Sequence, residues 1–220
     1  MSLVLHVDPG AEPDPGAVRA TAGALERGAL VVFPTETVYG IGARPDDRAA
    51  TERLFAAKRR PPGLNLPVLA ASPGEALELG APDPRAEALA RALWPGPLTV
   101  VLRRSARSAP WYLGEREDTV GVRVPDHPVA LAVLRAFGPV ATTSANLSGL
   151  PPLRSEDDLR ATFGEAVEVY LVVAPSAMPP GERPSTVVDL TGDRPRVLRS
   201  GPIPAERIAE VLGQPVEGSG

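Results

Sequence analysis

The chain has no cysteine. That excludes disulfides, iron–sulfur clusters, thiolate zinc sites and thiol catalysis together. It has two histidines, His6 and His127, a thin basis for a histidine metal centre or a Ser-His-Asp hydrolase. No resident metal site is therefore expected. One lysine, Lys58, stands against 22 arginines, and there are two asparagines, Asn65 and Asn146. Excess positive charge is also missing, since the net charge is −4. A protein that clamps nucleic acid by bulk charge is basic. No segment approaches the roughly 18–20 apolar residues of a membrane span. Met1 to Asp8 lacks a basic region followed by an apolar run, so no signal peptide is expected. A soluble cytoplasmic protein is the expectation.

What is present fits a globular chain: 220 residues, 43% apolar and 23% charged. A chain of that length buries roughly 70% of its unfolded surface without staples. The 27 prolines and 21 glycines are spread between periodic segments, which reads as loops and helix starts rather than disorder. Strand-like segments fall at Leu3–Val7, Ala29–Phe33, Leu66–Ala70, Leu98–Leu102, Thr119–Val124, Val140–Thr143, Val167–Val173, Thr186–Leu190 and Arg196–Leu198. Helices alternate with them. Their starts are marked by Asp14-Pro15, by Asp46 or Asp47, and by Ser72-Pro-Gly-Glu75. Asp83-Pro84, Asp126 and Ser155 mark three more, and Pro204–Leu212 is a last helix. This predicts an α/β fold with a mixed sheet of about seven strands. The sheet is mixed because several neighbours are too close for a crossover helix. One domain over 1–213 is expected, with a frayed tail at 214–220. The Pro-rich stretch Ala174–Pro184 reads as a surface loop.

Five segments carry polar residues beside apolar strands, where α/β proteins place ligands. Pro34-Thr-Glu-Thr-Val-Tyr-Gly-Ile-Gly42 follows a strand and reads as the start of a loop that runs to the helix capped by Asp46 or Asp47. Lys58-Arg-Arg60 ends a helix. Charge–dipole pairing explains a basic helix end. A lone lysine in an arginine-writing chain also suits a point charge on phosphate. Thr142-Thr-Ser-Ala-Asn146 offers a hydroxyl and an amide at Ser144 and Asn146, on one side of the chain if extended. Arg123 lies in an apolar strand, where burial is expensive unless the guanidinium meets an anion. Ser185-Thr-Val-Val-Asp189 stands ahead of Arg199-Ser-Gly201. There is neither a Walker loop nor a dinucleotide fingerprint. Phosphate binding would rest on separate Lys, Arg, Ser and Thr side chains.

In this order the segments resemble the YrdC-like domain of threonylcarbamoyl-AMP synthases, over roughly residues 14–212. The marks are Pro34-Thr-Glu-Thr-Val-Tyr-Gly40, Lys58 with Arg60, and Trp94-Pro-Gly-Pro-Leu-Thr99. Val122-Arg-Val-Pro-Asp-His-Pro128, Ser144-Ala-Asn-Leu-Ser-Gly149, Ser185-Thr-Val-Val-Asp189 and Leu198-Arg199 complete the set. The resemblance implies a twisted open sheet with flanking helices around one deep, positively lined cavity, in the short single-domain form. It implies a nucleotidyltransferase that makes threonylcarbamoyl-AMP and pyrophosphate from L-threonine, bicarbonate and ATP, with Mg²⁺ accompanying the ATP. It also implies partner enzymes that then move the threonylcarbamoyl group onto tRNA. By resemblance, Lys58 and Arg60 carry catalysis. ATP is held by Lys58, Arg60, Thr119, Ser144, Asn146 and Arg199, and threonine by Thr35, Arg123 and Ser185. Ser144 and Asn146 are expected to face the cavity of Lys58 and Arg60.

The chain departs from the family pattern in places. Asn65-Leu-Pro67 is followed by Leu69-Ala70 where the family places a His. Pro152-Leu-Arg154 replaces Ser-Pro-Thr, and Pro184 replaces a Glu. These departures bear on the threonine end and favour, as an alternative, a nucleotide- or RNA-binding relative without synthase activity. The acidic net charge limits that alternative to a weak RNA contact. The related carbamoyl-transfer domain of hydrogenase maturation brings cysteine-rich zinc fingers, which zero cysteines exclude here.

Overall fold

The computed structural model describes residues 2–8, 13–174 and 183–218. Among the described residues ten strands hydrogen-bond into one open sheet. They are β1 (Leu3–His6), β2 (Leu30–Phe33), β3 (Gly40–Ala43), β4 (Val68–Leu69), β5 (Leu98–Arg103), β6 (Thr119–Arg123), β7 (Val140–Ser144), β8 (Val167–Val172), β9 (Thr186–Asp189) and β10 (Arg196–Arg199). The order across the sheet is β1-β8-β2-β3-β7-β4-β6-β5-β9-β10. Pairs β1–β8, β8–β2, β4–β6 and β5–β9 are parallel and the others antiparallel. The mixed open sheet is as expected, but the strand count is ten rather than about seven.

The strand that sequence reading placed inside a loop is β3. Its glycines explain both the miss and the strand. A Cβ on Gly40 would stand 2.8 Å from Thr142 Cγ2, and one on Gly42 would stand 2.7 Å from Val140 Cγ1. Side chains there would push β7 away, so a strand with little β propensity is required by close approach. This pairing matters for function. It sets Gly40 opposite Ser144 in register and brings the Pro34–Gly40 loop beside the end of β7.

Among the described residues seven α-helices flank the sheet: α1 (Pro15–Glu26), α2 (Arg48–Lys58), α3 (Pro73–Leu77), α4 (Pro84–Leu93), α5 (Pro128–Phe137), α6 (Glu156–Phe163) and α7 (Ala205–Leu212). Asp14, Asp47, Ser72, Asp83 and Ser155 cap their helices through the side chain. Asp126 does not cap α5. Pro128 takes the first helical position, so His127 is the N-cap residue and makes no side-chain cap bond. Asp126 lies one residue too early. Apolar faces of the helices close on the sheet in one continuous core, with Phe33, Ile41, Leu54, Leu89, Val122 and Tyr170 deep within it.

The expected tail at 214–220 is described only to 218. Within that part Glu217 forms a bridge beside Arg196, and the Val197 amide donates to Glu217 O at 2.8 Å. Most of Ala174–Pro184, expected to be a surface loop, lies outside the described residues. Among the described residues no helix is long and apolar enough to cross a membrane.

Candidate active site

Three consecutive basic residues, Lys58, Arg59 and Arg60, stand where α2 ends. Asp47 starts this helix, and its C-cap, Arg59, adopts a left-handed backbone with φ 49°. A non-glycine residue there costs about 1–3 kcal/mol and persists only where the surroundings enforce it. The turn sends Lys58 inward and Arg60 into the next loop. Lys58 is 1% exposed. Its Nζ donates to Ser144 O and Asn146 O, each at 2.5 Å, and its own carbonyl accepts from the Ser148 amide at 2.9 Å. Burial, and then the neighbouring Arg60, push the Lys58 ammonium down to about 7. Arg60 donates from Nε to Leu64 O at 2.8 Å and from Nη2 to Asn65 O at 2.9 Å, so the chain from 60 to 65 wraps its guanidinium. Burial lowers the Arg60 pKa as well.

Arg60 forms part of the wall of a cavity of about 590 Å³. Arg116, Thr119, Gly121, Arg196 and Arg199 contribute to the same wall, and no carboxylate side chain is among its described residues. Arg199 is fixed by three bonds to one residue. Nε and Nη2 donate to Ser185 O at 3.0 and 2.8 Å, and Nη2 reaches Ser185 Oγ at 3.1 Å. Burial, then Arg123, then Arg60, bring Arg199 down to about 10. Arg60 and Arg199 have no carboxylate partner among the described residues, whereas Arg196 is paired with Asp189 at 3.6 Å. Such a wall is built to receive a multiply charged anion.

A second cluster surrounds Arg123, near enough for its charge to act on Arg199, and at the wall the Ser185 hydroxyl lies 2.8 Å from that of Thr99. Arg123 is 6% exposed. Its Nε donates to Gly96 O at 3.1 Å, and its Nη2 donates to Glu36 Oε1 at 2.7 Å and to Thr37 Oγ1 at 3.1 Å. The anion demanded by an arginine in an apolar strand is thus Glu36, a residue the sequence reading did not single out. Glu36 lies inside Pro34-Thr-Glu-Thr, and the unpaired Arg123 was the signal that could have found it. Thr35 shapes this loop. Its hydroxyl donates to Val38 O at 2.6 Å and accepts from the amides of Thr37 and Val38. Burial lowers the pKa of His127, while Glu36 and Asp126 oppose that shift.

Three polar atoms here are buried with no hydrogen-bond partner: Glu36 Oε2, His127 Nδ1 and Asn146 Oδ1. Asn146 spends its amide nitrogen on Leu147 O and Leu150 O, both at 2.7 Å. Buried polar atoms are normally paired, and orphans need a reason.

The expected site residues divide accordingly. Arg60, Thr119 and Arg199 line the cavity. Ser185 bonds two of its wall residues, Thr99 and Arg199. Lys58, Ser144 and Asn146 lie together, with Lys58 Nζ donating to the carbonyls of the other two, and none of the three is among the residues that line this cavity. Thr35 and Arg123 meet through Thr37 and are likewise outside the lining. Among the described residues no cluster of three His, Asp or Glu could hold a metal ion.

Comparison with known proteins adds to this geometry. The family model described as "Telomere recombination", which joins the Sua5, YciO and YrdC proteins, matches residues 23–201. A relative from Mycobacterium tuberculosis (strain CDC 1551 / Oshkosh) is 47% identical over 196 residues, covering 88% of each chain. A protein named threonylcarbamoyl-AMP synthase from Chromohalobacter salexigens is 42% identical over 170 residues, covering 76% of this chain and 89% of its own. The crystal structure of Pyrococcus abyssi Sua5 complexed with L-threonine superposes with a TM-score of 0.84 at 35% identity. That match covers 99% of this chain and 62% of the Pyrococcus chain, so this chain spans under two thirds of it. The family model spans most of the chain, and the Mycobacterium and Chromohalobacter relatives are 47% and 42% identical over most of its length, so the chain belongs to the Sua5/YciO/YrdC family.

Proposed function

We propose that this chain is a threonylcarbamoyl-AMP synthase. The single observation that carries the reading is the adjoining of two unlike clusters. One is a cavity walled by arginines with no carboxylate among its described residues. The other is an arginine already balanced by an acid, Arg123 with Glu36. The first suits a nucleotide triphosphate and the second an amino acid. The names of the curated relatives support the same reading.

In this reading ATP enters as its magnesium complex. The residues present fit a metal carried by the nucleotide, since the wall is cationic and offers it no acidic ligands. Arg60 and Arg199 hold the phosphates, with Thr119 beside them. Lys58 supplies charge at the Ser144–Asn146 turn. Threonine binds at Arg123, near Ser185 and the turn that Thr35 shapes. The threonine amine and bicarbonate give a carbamate and water. A carbamate oxygen then attacks the α-phosphorus, and the bond to the pyrophosphate oxygen breaks. The chain's task is to align the two anions and neutralise charge that develops on pyrophosphate. No strong base is required, which suits a chain with two histidines and no cysteine. The product would pass to enzymes that transfer the threonylcarbamoyl group to tRNA.

The test is pyrophosphate release from ATP and bicarbonate with Mg²⁺, with and without L-threonine. Threonine-dependent release is expected. Release that threonine does not increase would replace this reading with a nucleotide-binding relative lacking synthase activity.

A further inference from the structure

Arg123 is partly spent before any substrate arrives. Nε is engaged by Gly96 O, and Nη2 has given its two protons to Glu36 and Thr37. A carboxylate grips a guanidinium best through two parallel hydrogen bonds. Approached end-on, those bonds come from Nη1 and Nη2, and Glu36 occupies Nη2. A substrate carboxylate must therefore displace Glu36 to be held in this way. Glu36 meanwhile is only half satisfied, because Oε2 is buried without a partner. The pair is reachable, its side chains being 8% and 19% exposed.

An incoming α-amino acid resolves both problems. It brings a carboxylate for Arg123 and an ammonium with three donors for Glu36. The protein pair has no net charge, and neither does the amino acid. One ion pair becomes two, and no charge is left buried alone. A simple carboxylate that took Arg123 would strand Glu36 as an unpaired buried acid, which is strongly unfavourable. A simple amine would have to share Glu36 with Arg123. Resting on the threonine reading above, we infer that Glu36 and Arg123 form a receptor for a zwitterion. Glu36 leaves Nη2 when the substrate carboxylate arrives, and takes the substrate ammonium. It is a substrate-binding residue that selects α-amino acids by charge on both ends, before any contact with the side chain.

The experiment is calorimetric titration of the full chain with L-threonine and with 3-hydroxybutyrate, which is threonine without its amine. Wild-type protein should bind threonine at least about tenfold more tightly, the scale of one charge-assisted hydrogen bond. Glu36→Gln should weaken threonine by about tenfold or more. It should leave 3-hydroxybutyrate unchanged or tighter, because the competing carboxylate is gone. Equal weakening of both ligands would reduce Glu36 to a scaffold for Arg123 and overturn the proposal. Unaltered threonine affinity in Glu36→Gln would overturn it too. Melting curves show whether the variant folds. If it does not, the wild-type comparison decides alone, since 3-hydroxybutyrate binding as tightly as threonine refutes the receptor. Failure of the synthase reading is separate: it appears as pyrophosphate release that threonine does not stimulate, whatever the ratio of the two affinities.

Discussion

Two groups of positive charge lie side by side in this molecule and are held in opposite ways. Around Arg60 and Arg199 the guanidiniums are satisfied by backbone carbonyls and by the Ser185 hydroxyl, and their charge is left uncompensated. Around Arg123 the charge is cancelled on the spot by Glu36 at 2.7 Å. Backbone carbonyls satisfy hydrogen-bond donors without removing net charge. The first region therefore keeps its attraction for an anion, while the second keeps none until its own pair opens. A site that must take a polyanion and a zwitterion at once needs both arrangements, and keeping them apart prevents Glu36 from opposing the nucleotide.

The largest effect should come from breaking the balanced region. Arg123→Ala leaves Glu36 as a buried, unpaired acid. Removing one partner of a buried pair costs about 3–5 kcal/mol. Arg123→Met combined with Glu36→Gln should recover much of that, because neither charge is then stranded. Chemical denaturation of the two variants checks this. A loss below about 1 kcal/mol for Arg123→Ala would mean that the pair is not what balances this region.

Arg199→Met tests the other arrangement, and its signature should be reversed. Relief from Arg60 and Arg123, whose charges press on Arg199, offsets part of the lost hydrogen bonding. The change in stability should therefore stay within about 1 kcal/mol, near the net worth of an ordinary hydrogen bond. Nucleotide affinity should fall by about 10–150-fold, the range of a charge-assisted hydrogen bond of about 1.5–3 kcal/mol. Denaturation and ATP titration on one preparation read both numbers. Equal loss of stability in Arg123→Ala and Arg199→Met would erase the distinction between the regions.

These contrasts were only partly legible in the sequence. The alternation of apolar runs with Asp-Pro, Ser and Gly signals placed most strands and helices, because caps and buried runs are local. β3 was not legible, since Gly40 and Gly42 owe their place to Thr142 and Val140, a hundred residues or so further along. Arg60, Thr119 and Arg199 could be named from the order of motifs. That Lys58 Nζ is engaged by two backbone carbonyls could not, because those carbonyls are set by how β7 ends. Glu36 was in view all along within a quoted motif. Only the demand of Arg123 for an anion, traced across the sheet, gives it a role.

A smaller effect should follow pH. In the folded chain burial brings Lys58 down to about 7, against an ordinary value of 10.5. Between those values the folded state holds fewer protons at this residue than the unfolded state. The Lys58 contribution to stability therefore rises with pH across that window and is at its least below pH 7. Nucleotide binding works in the other direction. Phosphates favour the charged ammonium, so binding at pH 8 should take up to one proton, and affinity should weaken by at most about tenfold per pH unit above 7. Calorimetry in buffers of different ionisation enthalpy counts the protons. Lys58→Met should abolish the uptake. Uptake that survives the substitution would belong to another group and remove Lys58 from the anion-binding charge.

The smallest predicted change lies on the seam between the regions. Ser185 touches the cavity wall through Thr99 and Arg199, yet it is assigned to the threonine end. In Ser185→Ala, Arg199 keeps both of its bonds to the Ser185 carbonyl, because those use the backbone. The guanidinium should stay in place, and ATP affinity should change less than twofold, well under the value of one net hydrogen bond. The Thr99 hydroxyl, 4% exposed, loses its 2.8 Å partner. Stability should drop by about 0.5–1.5 kcal/mol. Threonine affinity should drop by a similar free energy, about 2–13-fold, if the serine hydroxyl also reaches the amino acid. Thr99→Val in the same background separates the two causes. It should restore much of the stability by removing the stranded hydroxyl, and restore none of the threonine affinity. If the double variant recovers threonine binding as well, Ser185 acts only by holding Thr99, and the boundary of the amino-acid region moves back to Arg123.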